Sequence, residues 1–188
     1  MKFARNLVRF SSALLMMSML AACSSSQLQG DLGIKGAPDW VNKGTQVTDD
    51  KSGHLIHGVA MAQAMNDPSL QTSVADDRAR AEVARVLNSF MHVVSQDFSS
   101  SSGSGQDQMN AQSVSRQIQS ITDQNLSGVR ILTHWPNPKD GSIWAIAQLD
   151  LNQVKDSVAN SKDMNSAFRD YFSSHADNIF DSMPKGDH

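Results

Sequence analysis

The residues best suited to chemistry are few and scattered. Six histidines stand at His54, His57, His92, His134, His175 and His188. His54 and His57 are three apart, which on a strand puts them on opposite faces. No nearby cysteine or acidic cluster completes a metal-ligand set around them. A serine hydrolase would carry a G-x-S-x-G turn, and none is present. The serines gather in residues 24–37 and 99–108, where they read as polar filler. The glycines of 99–108 are not followed by G-K-[ST], so they form no phosphate loop. Asp49-Asp50 falls in a loop and Asp76-Asp77 at a helix start, where solubility and capping account for them. Asp150 and Asp156 lack the spacing of a calcium loop. Four of the ten methionines fall at Met1, Met16, Met17 and Met19. The others scatter over apolar faces, which does not build a copper site. The chain is therefore expected to be no enzyme, with no metal and no cofactor. Cys23 is the only cysteine. A thiol without a disulfide partner is a liability in an oxidising compartment unless something is attached to it.

The surroundings of Cys23 say what that attachment is. Lys2, Arg5 and Arg9 give a basic start with no acidic residue, and residues 10–20 form a short apolar core. That core is much shorter than the roughly 20 residues a membrane helix needs. A basic start, a short apolar core and small residues are the order of a secretory signal peptide. The run Leu20-Ala21-Ala22-Cys23 resembles the lipobox of bacterial lipoproteins. The resemblance implies that the Cys23 sulfur carries diacylglycerol, that residues 1–22 are removed, and that the freed amino group is acylated. Several acyl chains anchor stably where one binds only weakly. The next residue is Ser24, not aspartate, which in such lipoproteins implies sorting to the outer membrane, with the domain on the periplasmic face. The leader holds three of the 16 basic residues and none of the 19 acidic ones. The mature chain then has 13 basic against 19 acidic residues, a formal charge of −6. That balance speaks against nucleic acid and against electrostatic binding to anionic lipid.

Residues 23–37 are expected to be the lipidated cysteine and a flexible tether, and residues 38–188 a single domain. The 14 residues of "SSSQLQGDLGIKGA" would span roughly 20 Å on average as a coil. Trp40, in "PDWV", is expected to anchor the domain edge onto the core. Residues 55–63, "LIHGVAMAQ", read as a strand with Ile56, Gly58, Ala60 and Ala62 on one face and Leu55, Val59 and Met61 on the other. The small residues leave room for a helix to lie close. Residues 74–98 read as a long helix, with apolar positions from Ala75 to Val94 at spacings of three and four. Ser73 is its expected N-cap, with Arg78–Glu82 and Asp76–Arg80 pairing on the solvent side. A loop over 99–108 and a second helix over 109–126 come next. Strands over 128–135 and 143–151 flank the turn signal Asp140-Gly141. A short helical piece covers 152–159. An amphipathic helix over 163–183 ends the pattern, with Asp163 as N-cap and Pro184 and Gly186 as its stop.

Together these segments predict an α+β fold, β-α-α-β-β-α. A small three-stranded antiparallel sheet carries the long helix on one face, with a second helix and a C-terminal amphipathic helix. The far face holds Val59, Met61, Leu132, Trp144 and Ile146, and must be covered by the terminal helix or by another subunit.

Four stretches carry a wider resemblance: "PDWV", "HGVAMAQ", "ADDRARAEVARVL" and "GVRILTHW…KDGSIWAIAQLDL". They resemble the LPP-twenty family of small outer-membrane lipoproteins, to which domains of FlgP- and FlgT-type flagellar accessory proteins are related. The resemblance spans roughly residues 38–151. It implies a small α+β domain, no catalytic residues, an outer-membrane address and, by analogy with the flagellar members, assembly into rings. The serine–glycine loop and the last helix depart from that pattern, and a helix over the sheet would hide an assembly face. The expected function is docking: self-association, or binding to an envelope or flagellar partner. Trp135, Trp144, Phe168 and Phe172 are the candidate interaction surface. The competing expectation is a module that binds peptidoglycan or a small apolar molecule beside Trp135 and Trp144.

Overall fold

The alternation of residues 143–150 builds the strand on which the others are hung. In the computed structural model, which describes residues 31–46, 54–101 and 108–183, this strand is the middle of a three-stranded antiparallel sheet. In chain order the elements are α1 (Asp39–Lys43), a 3-10 turn (Gly44–Gln46), β1 (Leu55–Ala62), α2 (Pro68–Ser101), α3 (Gln108–Leu126), β2 (Arg130–Pro136), β3 (Ile143–Asp150), α4 (Leu151–Asn160) and α5 (Ser166–Ser182). The strand order is β1-β3-β2, with β3 antiparallel to both neighbours. β1 and β2 thus run parallel on either side of β3, joined by the α2–α3 crossover. This is a split β-α-β unit, closed by a strand inserted from later in the chain. The expected α+β architecture is the one observed.

α2 lies against the sheet where the side chains are smallest. Ala145, Ala147 and Leu149 of β3 and Ile56 of β1 share one core with Ala75, Ala79, Val83, Leu87, Phe90 and Val94 of α2. Gly58 marks the closest approach. A Cβ there would sit 2.3 Å from the Ala79 carbonyl oxygen and 2.6 Å from the Val83 nitrogen. Only a residue without a side chain lets the helix backbone come so near. The helix begins earlier than its apolar stripe. Asp67 Oδ1 accepts from the Ser69 and Leu70 nitrogens at 2.9 and 3.1 Å, and Pro68 takes the first helical position. Ser73, the expected cap, is one turn inside, its hydroxyl donating to the Ser69 carbonyl. The buried Gln71 amide donates to the carbonyls of Gly141 and Ala62, tying the helix start to the sheet.

Other expectations shift in detail. Arg78 donates to the Met61 carbonyl at 2.8 Å, and Asp76 accepts from His134 Nε2 at 2.5 Å. The observed ion pairs on that surface are Arg80–Asp77 and Arg85–Glu82. α2 runs to Ser101, so the start of the expected loop is helical; residues 102–107 lie outside the described residues. Leu151, counted as the end of a strand, is the first residue of α4, because Asp150 Oδ1 accepts from the Asn152 nitrogen and caps it. Asn165, not Asp163, caps α5 by accepting from the Phe168 nitrogen. The end signal at Pro184 and Gly186 lies outside the described residues.

α5 does not cover the far sheet face. It packs on α2 and α4 in the helix layer. Phe90 meets Phe172 and Phe180 edge-on, and Phe98 meets Phe168 and Tyr171 edge-on, with centroids 5.3 to 5.9 Å apart. Val41 of α1 is fully buried yet stands outside the helix-side core, and so does Ile146 of β3, at 4% exposure. The 3-10 turn directly after α1 packs on β1. The N-terminal segment thus comes up to the sheet through this turn, on the β1 side. Trp40, the expected anchor, is only half-buried, because its neighbour Val41 takes the inward position.

Candidate functional site

The far face of the sheet is organised in rows across the strands. Side chains directly opposed in antiparallel pairs lie on one face, so the register reads out the rows. The first row is Met61, Trp144 and Trp135; the second is Val59, Ile146 and Thr133; the third is His57, Gln148 and Arg130. One end is therefore aromatic and the other polar. His57 Nε2 donates to Gln148 Oε1 at 3.3 Å, which holds the polar row together. Burial falls from β1 towards β2: Ile146 is buried and Trp135 half-buried, whereas Arg130 and Thr133 are exposed. Leu132 sits at a register shift between Ile131 and Thr133 and is 48% exposed. Arg130 makes no hydrogen bond or ion pair among the described residues, which leaves a bare cation beside these groups. The indole N–H of Trp144 is buried and has no acceptor among them.

The structure brings together two of the four expected surface residues. Trp135 and Trp144 oppose each other on neighbouring strands. Phe168 and Phe172 are no part of any surface: both are almost fully buried in the helix-side core. The apolar stripe that suggested them is satisfied by the chain's own α2. Leu132 was expected on this far face; Arg130 was missed, because pattern reading counts apolar alternation and passes over a cation. Leu20, Ala21, Ala22, Cys23 and Ser24 lie outside the described residues.

Two polar clusters also become visible. His54 Nε2 lies 3.8 Å from Asp177 Oδ1 and 3.9 Å from Asp181 Oδ1, while Lys155 Nζ meets Asp177 Oδ2 at 2.7 Å. This clamp of side chains brings the start of β1 beside α4 and α5. On α5, Ser174 Oγ lies 2.8 Å from His175 Nδ1. That nitrogen is also 3.0 Å from the Tyr171 carbonyl, to which it can only donate. A protonated Nδ1 cannot act as base for Ser174, whose hydroxyl donates to the Asp170 carbonyl. The pair braces the helix. Tyr171 donates to Asp97 of α2, and its hydroxyl pKa is raised, first by burial and then by that bond. In the β2–β3 turn, Asp140 has a lowered pKa because the Ser142 backbone N–H donates to it.

Among the described residues, no group of histidine, cysteine and carboxylate side chains has the arrangement of a metal site. No helix among them is long and apolar enough to cross a membrane. The chain matches no protein-family model and no curated protein.

Proposed function

We propose that the chain is a lipid-anchored envelope protein of the outer membrane that works by docking and without catalysis. Cys23 carries the lipid, Ser24 directs sorting, and the folded domain faces the periplasm. The docking surface is the β2 side of the far sheet face, where it associates with further copies or with an envelope or flagellar component. The observation that carries the reading is the grouping on one edge strand of half-buried Trp135, exposed Leu132 and exposed Arg130, which has no partner among the described residues. Aromatic residues and arginine are the types enriched where proteins bind one another. The strand's own edge is poorly suited to pairing, since the bulge, Arg130 and Pro136 all blunt it. Association therefore runs through side chains on the face.

Sedimentation of residues 31–188 over a wide concentration range tests this, alongside crosslinking in cells. Concentration-dependent association, weakened by Trp135→Ala, is expected. A monomer at every concentration, with no crosslinked partner, defeats the proposal.

A second reading, ligand binding beside Trp135 and Trp144, is favoured by the indole N–H of Trp144, which has no acceptor among the described residues. Cell-wall fragments or a small apolar ligand would then shift tryptophan fluorescence. Unchanged spectra at saturating concentrations dispose of it.

A further inference from the structure

The tether is shorter than its composition suggests. Residues 31–37 belong to the folded part. The Leu32 nitrogen donates to the Asn42 carbonyl at 2.9 Å. The Ile34 nitrogen donates to Asn42 Oδ1 at 2.8 Å, and Asn42 Nδ2 returns a bond to the Ile34 carbonyl. The Ala37 nitrogen donates to the Ile34 carbonyl. Asp31 is then only eight positions beyond Cys23. A flexible chain of that length reaches about 16 Å on average. A domain of this size has a radius of gyration of about 15 Å. A link about as long as that radius keeps the surface where it enters close to the anchor.

That surface has the composition of a membrane interface. Leu32 is 59% exposed, the most exposed of the large apolar side chains among the described residues. Trp40 is half-buried nearby, and Lys35 and Lys43 are exposed. Apolar, tryptophan and lysine side chains are those that settle between acyl chains and headgroups. Residues 31–46 hold two lysines and two aspartates, so the segment is neutral in a mature chain of charge −6.

We propose that residues 31–46 seat the domain on the surface of the bilayer that holds its own lipid anchor, with Leu32 entering the headgroup boundary. This rests on the reading of Cys23 as lipidated.

Site-specific labelling of the lipidated chain tests it. With Cys23 acylated, Leu32→Cys and, separately, Val93→Cys on α2 each introduce the sole free thiol. Each is labelled with an environment-sensitive fluorophore and reconstituted into phosphatidylethanolamine–phosphatidylcholine vesicles. The label at position 32 should be blue-shifted on the vesicles and quenched by acyl chains brominated near the headgroup, and that at 93 should be neither. A chain that floats with the vesicles but shows no quenching at 32 overturns the seating and leaves the anchor standing. Equal quenching at both positions also overturns it. A chain that does not float overturns the anchor and the seating together. Both side chains are exposed, and circular dichroism of each variant reports whether the fold is kept.

Discussion

Gly58 shows how much one missing side chain decides. The helix backbone approaches it so closely that a methyl group would overlap main-chain atoms of α2, which cannot swing aside as a side-chain tip can. Gly58→Ala should destabilise the domain by about 3 kcal/mol, the upper end for overpacking. For a domain of this size that corresponds to a fall in melting temperature of roughly 6–12 °C, read by thermal unfolding. The small-residue face of β1 was legible in the sequence, and its purpose with it. The hydroxyl of Tyr171 gives a second test at this scale. Folding raises its pKa above the ordinary 10.0, so the folded state prefers the neutral phenol. Its contribution is complete below pH 10 and drains away as pH climbs through the raised value. Tyr171→Phe should therefore flatten the loss of stability at alkaline pH, measured by denaturant unfolding at several pH values. Neither this bond nor the His54 clamp could be read from the sequence. Both join residues far apart in the chain, and nothing local marks them.

At the scale of elements, type and order were legible and ends were not. The stripe from Ala75 to Val94 identified α2, but its first turn carries little of that stripe, and Asp67-Pro68 reads equally as a turn after β1. The capping bonds of Asp67 decide the matter. Asp67→Ala should cost about 1 kcal/mol, measurable by denaturant unfolding with little change in slope. Leu151 was assigned to β3 because its parity continues the alternation. Parity cannot see a cap one residue earlier, and Asp150 turns the chain there. The stripe of α5 had the opposite fault. It shows that Phe168 and Phe172 must be buried, and gives no sign whether the cover comes from the same chain. The partner is α2, whose Phe90 and Phe98 meet them edge-on.

Taken whole, the molecule has a thick helix layer on one side of the sheet and a thin N-terminal segment that comes up to it at β1. The candidate docking face was legible as an uncovered sheet surface with Trp144 on it. What escaped the sequence was the packing of the N-terminal 3-10 turn on β1 and the gradient of exposure towards β2. Those depend on how residues 31–46 fold back, and hydrogen bonds from Asn42 to the chain before it leave no periodic trace. The anchor reading has its own test at this scale. Cys23→Ser should leave the precursor uncut at this site and unlabelled by radioactive palmitate in cells. Normal labelling would refute lipid attachment there.

The strand order has a consequence for the time course of folding. The middle strand of the sheet is the last of the three to be synthesised, and β1 must wait for a partner some ninety positions downstream. Contacts at such separation form slowly, because a long loop must close before any energy returns. Until residue 150 has emerged, β1 and β2 have nothing between them, and α2 has no sheet to lie on. The proposed leader would thus reach the export machinery while the body behind it is still open. A chain threaded through a membrane in extended form gains from a core that closes late.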